Sequence, residues 1–207
     1  MARLRKNDGF LMVELLVAMF VLTVALTALV GVFSTGILTM RTASRVTTAT
    51  FLADAQMETY RAMTSRDIGI DLAAGTVSAL DSNYKNDAAC ANASTSKTCA
   101  TDGVGTAETG PTGATPDTCT TINTWYSSTL PCTPSRTISS TTTPASPDGR
   151  SYRIDTYIIQ LAATGSQRTQ KQVTVVVRDA ATPSRYFVRD TSTFDCSTGV
   201  TPNSTDC

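Results

Sequence analysis

The sequence predicts an α+β fold in which one long N-terminal helix packs on a C-terminal antiparallel sheet. Residues 10–40 form a continuous apolar run, and residues 41–63 keep apolar side chains at helical spacing. After residue 149 the chain alternates and is rich in β-branched and aromatic residues. An amphipathic helix and a sheet with one apolar face must each bury their apolar surface. We therefore expect the helix to pack on the apolar face of the sheet.

The apolar run is long enough to cross a membrane, which takes about 20 residues. Its only ionisable side chain is Glu14. Residues 1–9 precede it as a leader with three basic side chains, Arg3, Arg5 and Lys6. Because a positive flank stays in the cytoplasm, we expect a single pass through the cytoplasmic membrane, with the N-terminus inside and the bulk of the chain outside.

The isolated carboxylate of Glu14 needs a partner or a polar location. An acidic side chain costs a few kcal/mol at the bilayer centre and usually marks a function. No Lys or Arg occurs in the run, so after removal of the leader the nearest cation would be the α-amine of Phe10, in the same chain or in a neighbouring subunit. We hypothesise that Glu14 pairs with such an amine. The alternative is that Glu14 lies in the headgroup region of an ordinary signal anchor.

The spacing of Gly9, Phe10 and Glu14 resembles the class III signal of type IV prepilins and pseudopilins. That signal is a short basic leader ending in Gly, then Phe, then an apolar run with Glu as the fifth residue after the break. In that family a membrane peptidase cuts after the Gly and methylates the new N-terminal amine. The resemblance implies cleavage between Gly9 and Phe10, N-methylation of Phe10, and an assembly role for Glu14.

Residues 41–63 are expected to extend the apolar helix without a break, because no proline occurs between residues 10 and 63. The face bearing Leu52, Met57 and Tyr60 should pack on the rest of the domain. A long helix that is half membrane segment and half amphipathic is the architecture of type IV pilins. The fold that the resemblance implies is therefore the same α+β arrangement that the residues predict.

Residues 64–149 are rich in Thr, Ser, Ala, Pro and Gly and are expected to be mainly loop. All six cysteines follow the membrane segment, where an even count favours disulfides. They are Cys90, Cys99, Cys119, Cys132, Cys196 and Cys207. Their order suggests three local closures between consecutive cysteines, but other connectivities stay open. A metal site competes weakly, since the chain has no Cys-x-x-Cys and no His.

Residues 150–207 are expected to hold three strands and a C-terminal tail. The strands are predicted at Tyr152–Leu161, 173–177 and 185–194, and their short connections favour an antiparallel meander. One side of the first strand should carry four of its residues, Tyr152, Ile154, Thr156 and Ile158. The tail between the last two cysteines resembles the disulfide-bounded C-terminal region of pilins, and we expect it to act as a staple.

Composition excludes several classes of site. The chain contains no histidine, which excludes Ser-His-Asp and Cys-His nucleophilic sites and zinc sites that use histidine. The formal net charge is 0, and loss of residues 1–9 removes three basic residues and one acidic from the 17 of each, leaving about −2. No basic face for nucleic acid is implied. We expect no enzyme activity, no cofactor and no metal.

The resemblance implies a subunit of a type IV pilus that is stored in the membrane and then enters an extracellular filament. Residues 53–61 resemble the helix end of V-type minor pilins, in which an Ala-rich turn precedes a Met-Glu pair and an Arg, and this favours a minor subunit. The implied partners are other pilin subunits, the prepilin peptidase, the cytoplasmic membrane and the pilus assembly platform. Two alternatives stay open. One is a pseudopilin of a type II secretion or DNA-uptake machine, and the other is a signal-anchored external binding protein that never polymerises.

Overall fold

A computed structural model describes residues 8–63, 65–71, 81–90, 131–143, 145–161 and 170–195. Within them the chain forms a long helix α1 (Asp8–Arg61), a 3₁₀ turn (Ser65–Asp67), a short helix α2 (Ser82–Lys85) and four strands. The strands are β1 (Ser135–Ile138), β2 (Tyr152–Leu161), β3 (Gln170–Asp179) and β4 (Tyr186–Asp195). This is the α+β class that the sequence predicts.

The chain divides by its contacts into two compact units, Met1–Ser44 and Arg45–Cys207. Of the first unit, the structure describes the helix from Asp8 onward. The helix begins and ends within two residues of the predicted range. It closes with a 3₁₀-type bond in which the Met63 N–H donates to the Tyr60 carbonyl at 3.2 Å, as helix ends often do.

The part of α1 that belongs to the second unit buries one side in the core. Its inward residues recur at helical spacing and are at most 5 % exposed: Ala49, Leu52, Ala53, Met57 and Tyr60. The opposite side faces outward, and the Phe51 side chain is 59 % exposed. The amphipathic face expected from the sequence is confirmed.

The sheet is an antiparallel meander with strand order β1-β2-β3-β4 among the described residues. Strands β2 and β3 pair over ten residues, from Tyr152 opposite Asp179 to Leu161 opposite Gln170. The ladder between β3 and β4 shifts register after Val177. The predicted topology is confirmed.

Both faces of the middle strands are covered. On one face, side chains of β2 and β3 such as Ile154, Ile158 and Val175 join the buried side of α1 in a single core cluster. On the other face, Tyr157 and Val176 pack against the segment 81–90 through Tyr84 and Cys90. Because side chains alternate along a strand, each middle strand supplies both clusters.

The structure adds elements that the sequence does not predict. Within residues 64–149 it has the 3₁₀ turn, α2 and β1. The residues of β1 include no run of β-formers, and the strand forms where Ser135 to Ile138 pair with β2. Strand β3 extends to Gln170–Asp179, beyond the predicted 173–177, because its polar ends complete the ladder with β2.

Candidate functional site

The apolar part of α1 presents its side chains outward. Between Met12 and Met40 the large hydrophobic residues are 52 % to 75 % exposed. This helix is long and apolar enough to cross a membrane. Such a surface in water would be an aggregation hazard, so it needs lipid or protein around it.

Threonines in the apolar part of α1 satisfy their hydroxyl groups within the helix. The Thr23 and Thr27 hydroxyls donate to the carbonyls of Phe20 and Val24, three residues earlier, at 2.8 and 2.9 Å. The Thr35 and Thr39 hydroxyls donate to the carbonyls of Gly31 and Thr35, four residues earlier, at 3.0 and 2.9 Å. A polar donor without a partner is costly in hydrocarbon. The threonines are therefore compatible with a membrane location.

Glu14 is the one ionisable residue of residues 12–40, a stretch that lies wholly within the described helix. Along the helix, Glu14 borders a groove with six apolar residues, Val13, Val17, Ala18, Val21, Leu22 and Ala25. Two of these are alanines, which let a neighbouring helix approach closely. The carboxylate therefore stands at the end of a surface suited to helix packing.

The expected cleavage site lies in the first turn of α1. The helix begins at Asp8 and includes the backbone of Gly9 and Phe10. A cut after Gly9 would make Phe10 the new start of the helix, where backbone N–H groups have no intrahelical partners. It would place the new amine at Phe10, four residues before Glu14 and on the same side of the helix. The roles of Gly9, Phe10 and Glu14 stay predictions.

The structure describes two of the six cysteines. Cys90 is disulfide-bonded and lies at the end of the segment 81–90, in contact with the sheet. Cys132 is 1 % exposed and belongs to the core beside α1. The others lie outside the described residues: Cys99, Cys119, Cys196 and Cys207. The pairing suggested by their order stays a prediction.

A cluster of charged residues occupies the sheet face that lies away from α1. Arg153 and Arg178 are directly opposite each other on β2 and β3, where like charges repel. Asp155 separates them, since its two carboxylate oxygens accept from Arg153 Nε at 2.7 Å and from Arg178 Nε at 2.9 Å. Asp81 pairs with Arg153 and Asp87 with Arg178. Each arginine is thus held between two carboxylates.

The same carboxylates hold the segment 81–90 in place. Asp81 caps α2 by accepting from the Tyr84 N–H at 3.0 Å. Its hydrogen bond with the Arg153 guanidinium holds the pKa of the Asp81 carboxyl well below its usual range. Asp87 also accepts from Arg189 Nη2 of β4 at 2.6 Å. The segment is therefore attached by charge to three strands in succession.

Two tyrosines complete this attachment. The rings of Tyr84 and Tyr157 stack with centroids 4.3 Å apart. The Tyr84 hydroxyl donates to the Thr156 carbonyl at 2.6 Å, and the Tyr157 hydroxyl donates to the Tyr84 carbonyl at 3.1 Å. Burial raises the pKa of both phenols. Both rings are thus neutral, fixed parts of the core.

The charged cluster fits a structural role. Every carboxylate in it binds a guanidinium, and Asp155 is 0 % exposed. In the described part of the chain, no group of three or more His, Cys, Asp or Glu residues could hold a metal ion. The sequence of β2 contains an indication of this cluster. Because side chains alternate along a strand, Arg153, Asp155 and Tyr157 all fall on the side opposite the predicted apolar face.

The candidate functional site is therefore the outward-facing apolar part of α1 with Glu14. The second unit, Arg45–Cys207, is called the head below, and in it the end of α1, the sheet and the segment 81–90 pack together. Comparisons of the chain with protein-family models, with curated proteins and with solved structures find no match.

Proposed function

We propose that this protein is a minor subunit of a type IV pilus, processed by a prepilin peptidase and assembled through α1. The observation that carries the proposal is one helix with two kinds of surface. Between residues 12 and 40 it exposes apolar side chains on all sides with Glu14 as the only charge, and its later part is built into the folded second unit. The spacing of Gly9, Phe10 and Glu14 supports the same proposal.

In this proposal, function is assembly. The subunit waits in the membrane with its apolar helix in lipid and its head outside. On assembly the helix leaves the bilayer, and contacts with neighbouring helices replace contacts with lipid. The apolar surface of α1 is kept from water both in the membrane and in the filament. The free-energy difference between these two states therefore depends on helix packing and on the few polar groups of α1.

Glu14 supplies the polar preference for a correctly placed neighbour. A carboxylate on a lipid-facing helix is unfavourable until it meets a cation. The amine created at Phe10 is such a cation and is absent before cleavage. After cleavage, the Phe10 amine of one subunit can pair with Glu14 of a neighbouring subunit, and its own Glu14 can pair with the amine of another. These pairs set the axial register of the helices.

The test compares the amount of protein in membranes and in sheared filaments of the native cell. Glu14→Ala should leave the membrane pool unchanged and reduce the filament share by about tenfold, the effect of roughly 1.4 kcal/mol. Glu14→Gln, which keeps the shape and loses the charge, should behave like Glu14→Ala.

Glu58→Gln is the matched control, because Glu58 is on the same helix and its side chain is 65 % exposed. It should enter filaments normally. Entry of Glu14→Ala at the normal level would contradict the proposed assembly role of the carboxylate.

A further inference from the structure

A cleft of about 510 Å³ lies in the second unit, beside the start of β2 and the connection between β3 and β4. Aromatic side chains of Tyr152 and Phe187 line it, together with Arg45 of α1, Arg150 and Asp179. The remaining lining residues are small: Gly149, Ser151 and Ala181. Charge and aromatic surface thus meet in one concavity of the head.

Positive charge exceeds negative charge around this cleft. Two arginines line it against one aspartate, and the Asp179 carboxylate already accepts from the Ala181 N–H at 2.9 Å. A third guanidinium, that of Arg185, lies 5.5 Å from the centre of the Phe187 ring. The cleft therefore favours an anion.

Asp148 is the other carboxylate near the cleft, and its oxygens are already used. They accept from the Tyr152 hydroxyl at 2.6 Å and from the Ser146 hydroxyl at 2.8 Å. Arg150 Nε is 3.8 Å from the nearer oxygen, which is too long for a hydrogen bond. The Arg150 side chain is also 42 % exposed, so its guanidinium can turn to a ligand.

Arg45 gives the strongest indication of a ligand. Its Nε is buried and has no hydrogen-bond partner within the described ranges. Buried donors in native proteins nearly always have a hydrogen-bond acceptor. An anionic oxygen at the cleft would supply the acceptor.

Two irregular backbone positions border the cleft. Gly149 has a φ of 71° and no atom within 4 Å of the place where a Cβ would be. The register shift between β3 and β4 leaves Phe187 out of the regular pairing, since Val177 faces Val188 and Arg178 faces Tyr186. Such bulges redirect side chains.

In the membrane-stored state of the proposed function, Arg45 follows the membrane-spanning part of α1. From Glu14 to Arg41 the helix rises by about 40 Å, close to the 40–45 Å thickness of a bilayer with its headgroups. Arg45 follows Arg41 by one helical turn. Arginine side chains can reach back to the interface from such a position.

We propose that the cleft binds the phosphate group of an anionic glycerophospholipid in the outer leaflet. The Arg45 and Arg150 guanidinium groups bind the phosphate oxygens, and the glycerol lies against the aromatic wall. The proposal rests on the membrane-stored state of the proposed function and does not require filament assembly. The contact would hold the head at the bilayer surface before assembly.

The test measures thermal unfolding of the full chain in nanodiscs. Phosphatidylglycerol added to phosphatidylcholine discs should raise Tm by about 3 to 6 °C if the lipid is present at about ten times its Kd. Arg45→Gln and Arg150→Gln should each lose most of this rise while keeping the Tm of the wild type in pure phosphatidylcholine. Arg150 is exposed, so its replacement tests the site without risk to the core.

Arg41→Gln is the matched control, because it removes the same charge one turn earlier from a residue that does not line the cleft. It should keep most of the rise. An equal loss in Arg41→Gln would overturn the site in favour of general attraction to a charged surface. Inorganic phosphate added to pure phosphatidylcholine discs should raise Tm far less than the lipid, and an equal rise would overturn the assignment to a lipid. Absence of any lipid effect in the wild type would overturn the proposal while leaving filament assembly untouched.

Discussion

Arg178 donates through Nε to Asp155 Oδ2 at 2.9 Å in the middle of the sheet, where the two residues are 4 % and 0 % exposed. Desolvation of two such charges is costly, and their contact stabilises the fold only while both partners are present. Asp155 is the shared partner of Arg178 and Arg153, and the Ser135 hydroxyl also donates to it at 2.6 Å.

Replacement of Asp155 by Asn should therefore destabilise the head strongly. It leaves two arginines opposite each other without the carboxylate between them, and loss of one partner of a buried pair costs about 3–5 kcal/mol. Urea unfolding of the full chain in a mild detergent, followed by near-ultraviolet circular dichroism, measures this loss.

Glu58→Gln provides the comparison for Asp155→Asn. Glu58 pairs with Arg61 on the exposed side of the helix, and such pairs contribute about 0–1 kcal/mol. Similar losses for the two variants would show that burial of the Asp155 cluster has no special effect.

The Met57 side chain should contribute more to stability than the Phe51 side chain, although Phe51 is larger. Met57 is 0 % exposed against the sheet and Phe51 is 59 % exposed. Met57→Ala should lower the free energy of unfolding by about 2–5 kcal/mol through the cavity it leaves. Phe51→Ala should change it by less than about 0.5 kcal/mol. If Met57→Ala and Phe51→Ala changed the free energy of urea unfolding equally, the assignment of the Met57 face of α1 to the core would be contradicted.

Much of this arrangement follows from local sequence pattern. Helix α1 has no proline between residues 10 and 63, and the spacing of its apolar residues after residue 41 predicts which side is buried. Strand β2 alternates and is bounded by turn residues, so Tyr152–Leu161 can be predicted to the residue. Glu14 stands out because it is alone among apolar neighbours.

Other parts depend on contacts distant in sequence. Strand β1 is formed by its pairing with β2. The β-propensity of its own residues does not predict this pairing. The attachment of segment 81–90 joins Asp81 to Arg153 and Asp87 to Arg178, pairs more than 70 residues apart. The Thr- and Ser-rich composition of residues 64–149 suggests loop. The segment 81–90 within it is held by its contacts with the sheet, which its own sequence does not show.

The Tyr84 hydroxyl should control the stability of this segment. Tyr84→Phe keeps the stacked ring and leaves the Thr156 carbonyl without its 2.6 Å donor. We expect a loss of about 1 kcal/mol and faster hydrogen exchange in residues 81–90, measured by mass spectrometry. Tyr186→Phe is the control, since Tyr186 is 57 % exposed, and it should leave that exchange unchanged. Unchanged exchange in Tyr84→Phe would contradict the role of the hydroxyl.

Buried tyrosines should make the head unstable at alkaline pH. Burial raises the pKa of Tyr60 from 10.0 to about 12, and burial also raises the pKa values of Tyr84, Tyr152 and Tyr157. A group whose pKa is higher in the folded state gives its full stabilisation below the unfolded pKa, here near 10, and loses it as the pH rises towards the folded pKa. Stability should fall between pH 10 and about 12.

Ultraviolet titration of the phenols measures this effect. In the folded protein the four buried phenols should ionise late and together with loss of circular dichroism, whereas in denaturant all tyrosines should titrate near pH 10. Titration of every tyrosine near pH 10 in a protein that keeps its fold would contradict the burial of these rings.

Under the proposed function, removal of residues 1–9 turns α1 into an assembly helix. The most direct measurement is the intact mass and N-terminal sequence of the protein recovered from membranes of its native cell. We expect a chain that begins with N-methylated Phe10. A chain that still carries residues 1–9, or one cut near residue 30, would contradict the proposed pilin role and would favour a signal-anchored or secreted protein.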